Sequence, residues 1–284
     1  MRVAMAQITA GDDPSANLDN LARLVEEAAA GGADLIAFPE ATMCCYGVPL
    51  APIAQPLDGP WATGVREIAR RHGIAILVGL FTPGTADDSG KPRVRNTVLV
   101  VDREGRYWSY DKIHLYDAFG YRESASVAPG NDALVADLEL ADGTTARLGV
   151  ATCYDVRFPE LFGALADAGA QVIAVPTSWA PGPGKAEQWR ILTSARALDS
   201  GAFIVAVDQA PPAGAGETRG PVGVGHSRVV DPFGSVVGDE YGRSPHLGFH
   251  NLDLADVERS RDALGMRVNR RSVATPAPMP PGDR

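Results

Sequence analysis

Cysteine is scarce in this chain, basic charge is in deficit and long apolar runs are missing. The 284 residues include three cysteines, Cys44, Cys45 and Cys153. They form neither a disulfide framework nor a CxxC pair, which excludes a disulfide-stapled scaffold and a paired-thiol redox motif. Lysine and arginine number 26 against 35 aspartates and glutamates, giving a net charge of −9. A nucleic-acid binder carries a basic stripe that this balance does not supply, so no nucleic-acid partner is expected. The negative sign reads as a solubility feature. No apolar stretch reaches the length needed to span a bilayer, so no membrane partner is expected either. Residues 1–6 lack the extended apolar core of a signal peptide. The expectation is a cytoplasmic protein in a reducing compartment. The five histidines, His72, His114, His226, His246 and His250, contain no HExxH pattern, and no metal site is expected.

What is present is an ordinary globular composition, 45% hydrophobic and 21% charged, able to bury a real core. Short apolar runs alternate with amphipathic stretches. Residues 3–8, 34–38, 74–81, 94–101 and 107–111 read as strands, with a Glu104-Gly105 turn joining the last two. Residues 14–30 read as a helix with Asp13 as N-cap, Pro14 in the first turn and Gly31-Gly32 as the stop. A second helix covers 61–72, closed by Gly73. A hairpin places Asp142-Gly143 between strands 134–138 and 145–151. Helix 159–168, strand 172–175, helix 185–199 and strand 203–207 follow, then strands at 225–231, 235–238 and 247–252. Residues 83–92 read as an exposed loop, and 211–223 as a mobile Gly/Pro/Ala-rich segment. One α/β domain over 1–270 with a Pro-rich tail at 271–284 is the economical organisation, its strands buried on both faces.

Three reactive side chains each stand just beyond a strand: Glu40 after 34–38, Lys112 after 107–111 and Cys153 after 145–151. In α/β sheets the functional crevice lies outside the carboxyl ends of strands, so these groups are candidates for one pocket. Cys153 sits in Gly149-Val150-Ala151-Thr152-Cys153-Tyr154-Asp155, a strand-to-helix elbow where a nearby helix start favours thiolate. The alternative is a buried structural thiol. Glu40, in Phe38-Pro39-Glu40-Ala41, is partly desolvated, as suits a general base; otherwise it is an exposed cap. Lys112, in Tyr110-Asp111-Lys112-Ile113-His114, is a donor to a developing oxyanion, or else a solvated surface charge.

Together the three motifs resemble the nitrilase, or carbon–nitrogen hydrolase, superfamily, in which glutamate, lysine and cysteine occur in this order. Ala4-Met5-Ala6-Gln7, the Trp189 to Ala197 helix and Gly225-His226-Ser227-Arg228-Val229-Val230-Asp231-Pro232-Phe233-Gly234 extend the similarity over most of the chain. The resemblance implies a four-layer α-β-β-α sandwich and pairing into a homodimer or higher homo-oligomer. It implies Cys153 as nucleophile, Glu40 as base, and Lys112 with the Tyr154 backbone N–H as oxyanion donors. Glu123, in Gly120-Tyr121-Arg122-Glu123-Ser124, matches a second carboxylate that holds Lys112 or orients the substrate nitrogen. No cofactor is needed. Tyr46 and Trp179 are candidate pocket walls or core residues. Asp155 and Arg157 are expected to brace the elbow, and Cys44 and Cys45 to pack near the pocket.

Tyr154-Asp155-Val156-Arg157-Phe158-Pro159-Glu160 resembles the branch of ω-amidases and deaminated-glutathione amidases rather than true nitrilases, which place tryptophan and glutamate after the cysteine. The expected substrate is a small carboxamide that releases ammonia through a thioester. The alternatives are an N-carbamoyl amino acid or β-ureido amidohydrolase, a nitrilase, and an inactive scaffold of the same fold. Other motifs fail on their own terms. Gly225-His226-Ser227-Arg228-Val229 lacks the closing glycine of a serine elbow. In Gly182-Pro183-Gly184-Lys185, Ala186 stands where a phosphate loop needs Ser or Thr. Gly223-Val224-Gly225 lacks the third glycine of a dinucleotide fingerprint.

Overall fold

Asp13 starts the first helix by chemistry visible in the sequence. Its carboxylate accepts from the Ser15 N–H at 2.8 Å, Pro14 takes the first turn, and Gly31 ends the helix, α1 (Pro14–Ala30). Leu21, Leu24, Val25 and Ala28 are buried at the spacing of one helical face. The second helix, α2 (Pro60–His72), stops at Gly73, whose φ of 64° no β-carbon obstructs. The computed structural model describes residues 1–212 and 221–271.

Both helices cover a six-stranded sheet. Its strands are β1 (Arg2–Gln7), β2 (Leu35–Ala37), β3 (Ala75–Pro83), β4 (Val94–Val101), β5 (Tyr107–Asp111) and, after the intervening strands, β13 (His246–Asn251), ordered β13-β1-β2-β3-β4-β5. β1, β2 and β3 run parallel; β4, β5 and β13 pair antiparallel. A hairpin of β6 (Asp117–Ala118) and β7 (Tyr121–Arg122) follows. The second sheet holds β8 (Leu134–Glu139), β9 (Thr145–Val150), β10 (Val172–Thr177), β11 (Phe203–Asp208) and β12 (Arg228–Val230), ordered β12-β11-β10-β9-β8. α3 (Pro159–Asp167) and α4 (Lys185–Ser200) pack on its outer face.

The period of two along the strands sorts side chains into separate cores. On β1, Ala4 and Ala6 face α1 and α2, whereas Val3 and Met5 enter the layer between the sheets with Leu148, Val172 and Val205. On β10 and β11, Ile173 and Ile204 turn outward to meet Phe162 and Trp189. The layers are therefore helix, sheet, sheet and helix, the expected four-layer sandwich. Among the described residues no helix is long and apolar enough to cross a membrane.

Some expectations needed correction. Residues 235–238 form no strand; a single bridge joins Val230 to Val236, because Asp231 and Gly234 close a tight turn between them. β12 is shorter than the expected 225–231, since Gly225 and His226 both take positive φ and cannot extend a ladder. Two helices, α5 (Ala255–Leu264) and α6 (Met266–Asn269), occupy a stretch to which no element had been assigned. The expected mobile segment at 211–223 and the tail at 271–284 lie largely outside the described residues.

Candidate active site

β2 delivers Glu40 into the interior through a tight turn. Ala41 has φ of 58°, and β3 crosses so closely that a β-carbon on Gly79 would stand 2.7 Å from the Ala41 nitrogen. Glycine is required there by contact with backbone. β5 ends at Asp111 and delivers Lys112; β9 ends at Val150 and delivers Cys153 from the opposing sheet. The three residues line one narrow cleft, together with Glu123, Tyr46, Tyr154 and Trp179.

Glu40, Lys112 and Glu123 are almost fully buried, with exposures of 1%, 2% and 2%. Lys112 Nζ lies 3.0 Å from Glu40 Oε1 and 2.9 Å from Glu123 Oε2. Burial alone would push this amine down, but Glu123 and Glu40 outweigh it and hold the ammonium well above its ordinary value. Its three hydrogen bonds go to Glu40 Oε1 and to both oxygens of Glu123, at 3.0, 3.2 and 2.9 Å, so a ligand must share these donors. The Glu40 carboxylate also accepts from Tyr46 Oη at 3.0 Å, from Asn96 Nδ2 at 2.6 Å and from the Ser178 N–H at 2.8 Å. Glu123 is tied further by the Tyr116 N–H, at 2.6 Å.

Cys153 stands on the expected strand-to-helix elbow, between β9 and α3. It is itself the first residue of a 3-10 turn, Cys153–Arg157, with φ of 49°. A left-handed non-glycine residue costs about 1–2 kcal/mol, strain of the kind found where a side chain is aimed for chemistry. The turn starts at Cys153, so the Tyr154 N–H has no partner within it. The expected bias toward thiolate meets an opposing environment. Burial pushes the thiol up, Glu40 adds to this, and the pull of Lys112 is insufficient, so the sulfur rests protonated. A short helix start is a weak partial charge beside two full carboxylates.

Asp155 does brace the elbow. Fully buried, it accepts from Tyr110 Oη at 2.6 Å, the Thr152 N–H at 2.8 Å, the His114 N–H at 2.9 Å and His114 Nδ1 at 2.7 Å. Replacing Asp155 with Asn is expected to destabilise the fold by about 3 kcal/mol, because its amide group must face donors. Urea denaturation measures this, and a loss below about 1 kcal/mol would contradict the bracing role. Arg157 ties the end of the turn to α4. Its guanidinium lies over the Trp179 and Tyr154 rings and donates to Gln188 Oε1 at 2.7 Å, because the turn projects it toward α4.

Tyr46 and Trp179 are both wall and core: each lines the cleft, while Tyr46 packs edge-on against Phe81 and Trp179 against Trp189. Cys44 and Cys45 do not line the cleft; the Cys44 sulfur turns toward the Asp12 carbonyl, at 3.5 Å. Sequence reasoning missed Asn96, whose amide also reaches Tyr46 Oη and Glu123 Oε1 at 2.8 and 3.1 Å. An asparagine inside the apolar run of β4 was the available signal. It also missed Ser178, Gln209 and Asp208. Gln209 Nε2 donates to the Glu40 carbonyl, and Asp208 accepts from the Trp179 and Val224 N–H groups.

This fold and site meet their counterparts in known proteins. Residues 2–262 match the carbon–nitrogen hydrolase family model. A Mycobacterium tuberculosis protein named as a hydrolase is 46% identical over 279 residues, covering 95% of each chain. The Escherichia coli deaminated glutathione amidase is 33% identical over 274 residues, covering 95% of this chain and 97% of its own. The structure of the Nesterenkonia sp. AN1 amidase, a nitrilase-superfamily member, superposes with a TM-score of 0.73 at 32% identity, covering 94% of this chain and 96% of that one; there a cysteine-to-alanine variant holds butyramide. The chain belongs to the carbon–nitrogen hydrolase family, within the nitrilase superfamily.

Proposed function

We propose that this protein hydrolyses small primary carboxamides, in the manner of an ω-amidase, through a thioester on Cys153. The observation that carries this reading is the meeting of a buried thiol, a buried carboxylate and a buried ammonium in one narrow cleft. As the thiol attacks the carbonyl carbon, its proton passes to Glu40 and an S–C bond forms. The resting protonation of the sulfur makes this transfer part of the attack. The negative oxygen is held by the Lys112 ammonium and the Tyr154 N–H. Glu40 returns the proton to the nitrogen, the C–N bond breaks and ammonia leaves. A water, deprotonated by the same carboxylate, then cleaves the thioester to the carboxylic acid and restores the thiol. Glu123 is a positioning residue that keeps Lys112 in place.

The name of the Escherichia coli relative and the butyramide held by the Nesterenkonia variant both support an amide substrate over a nitrile or a carbamoyl compound. The whole catalytic unit lies within 1–270 on this reading, and no cofactor takes part. A cytoplasmic location suits a reactive thiol. Pairing of two chains is supported by half-exposed Ile191 and Leu198 on one face of α4, beside the exposed Phe233. The test is ammonia release from matched ω-amides, N-carbamoyl compounds and nitriles. The amides are expected to show the highest kcat/KM. A preference for either other class replaces this reading, and absence of turnover across the panel favours the inactive scaffold.

A further inference from the structure

β11 ends at Asp208, a fully buried acid that the steps above do not use. Burying a carboxyl group is costly unless its hydrogen bonds are met. Here the donors come from two loops beside the cleft. The Trp179 N–H meets Oδ1 at 2.8 Å, and the Val224 N–H meets Oδ2 at 2.7 Å. The Asp208 N–H is tied in turn to Ser227 Oγ at 2.9 Å, and the Gln209 N–H to the Thr177 carbonyl at 3.1 Å. The end of β11 is therefore a fixed frame. Burial pushes the Asp208 carboxyl well above its ordinary value while the N–H donors pull it down, so what it supplies is acceptor geometry rather than charge.

The peptide that Asp208 grips touches both reacting groups. The Trp179 N–H and the Ser178 carbonyl belong to one planar unit and point in opposite directions. With the N–H on Asp208, the carbonyl is aimed at Cys153, whose sulfur lies 3.9 Å from that oxygen. The next N–H back along the chain, that of Ser178, donates to Glu40 Oε2 at 2.8 Å. Ser178 thus meets the nucleophile with its C=O and the base with its N–H. Glu40 comes from one sheet and Cys153 from the other, so this residue spans the seam that the proton must cross. Gln209 completes the frame by donating from Nε2 to the Glu40 carbonyl at 2.9 Å.

We infer that Asp208 is a positioning residue for the proton transfer: by holding the Ser178–Trp179 peptide, it keeps the Cys153 thiol aligned with the Glu40 carboxylate. The inference rests on the amidase reading of the cleft. Asp208 does not itself line the cleft, so its loss should lower rate rather than substrate binding.

The experiment uses the full chain as parent, Asp208→Asn, Glu40→Gln and the double variant. Asparagine keeps the shape of the side chain but turns one acceptor into a donor, which leaves one of the two N–H groups unmet. Iodoacetamide reads alignment without turnover: an S–C bond forms, iodide leaves and the thiol proton passes to Glu40. Peptide mapping follows the label on Cys153 and, as a reporter of unfolding, on buried Cys44. Asp208→Asn is expected to slow labelling of Cys153 at neutral pH by about tenfold, and kcat for an ω-amide by about 10²-fold, with KM nearly unchanged. The labelling gap should narrow as pH rises, because a thiol that has already ionised needs no aligned base. In the Glu40→Gln background the substitution should have little further effect. If Cys44 of Asp208→Asn labels rapidly, that variant has unfolded and Asp208→Ser is read in its place. Equal slowing with and without Glu40, or no slowing at all, overturns the inference, as does a change confined to KM. Glu40-dependent slowing without ammonia from any amide keeps the positioning role and removes the amidase reading. Ammonia release with unchanged labelling does the reverse.

Discussion

Replacing Cys153 with alanine is expected to lower kcat for ammonia release by about 10⁵-fold, because the cleft then lacks the thiol on which the acyl bond forms. Cys153 is the only cysteine lining it. Lys112 and the Tyr154 N–H would still polarise a bound carbonyl, and Glu40 would still hold a water, so some residual rate should survive. Serine is no full substitute. A hydroxyl is harder to deprotonate than a thiol, and the site already keeps its sulfur protonated at rest. Parent and alanine variant are compared on one ω-amide by coupled ammonia assay. Equal rates would mean that the nucleophile lies elsewhere.

The second large effect belongs to Glu40. Changing it to glutamine is expected to lower kcat by about 10³-fold, within the range for loss of a general base, and both half-reactions should slow. The new amide also meets unsuitable partners, since its two oxygens now accept from Tyr46, Asn96, Lys112 and the Ser178 N–H. A pH signature separates the base role from a packing role. Burial and then the Glu40 charge hold the Cys153 thiol well above the ordinary 9.0, while Lys112 pulls it down. Removing the carboxylate removes an upward push, so thiolate should appear at lower pH in Glu40→Gln than in the parent. Ultraviolet thiolate absorbance, taken as the difference from the Cys153→Ala protein at each pH, follows this directly. An unchanged or higher onset would contradict the electrostatic account.

The strand ends were legible because buried strands write themselves as apolar runs, which Glu40 and Cys153 follow, while the aromatic, partly exposed β5 marks the strand before Lys112. Their meeting was not legible. It depends on two sheets stacked face to face, with Cys153 reaching the cleft from one sheet and Glu40 and Lys112 from the other. Asn96 was hidden for the same reason, since only the register of β4 beside β5 sets its amide between both carboxylates. The strained backbone at Cys153 leaves no mark in residue type, because cysteine is not a residue chosen for positive φ. Lys185 was read only as part of a failed phosphate-loop pattern. α5 escaped notice because its buried side chains, Val257 and Ser260, form too narrow a stripe to give a strong helical period.

The most direct test of the central claim is intact-protein mass spectrometry of the parent enzyme, acid-quenched during turnover of a slow ω-amide and followed by peptide mapping. The account predicts a species heavier by the substrate less ammonia, its added mass on Cys153, formed with ammonia release and lost as the acid product appears. Ammonia release from a protein that never carries this adduct, or carries it on another residue, would contradict the thioester mechanism.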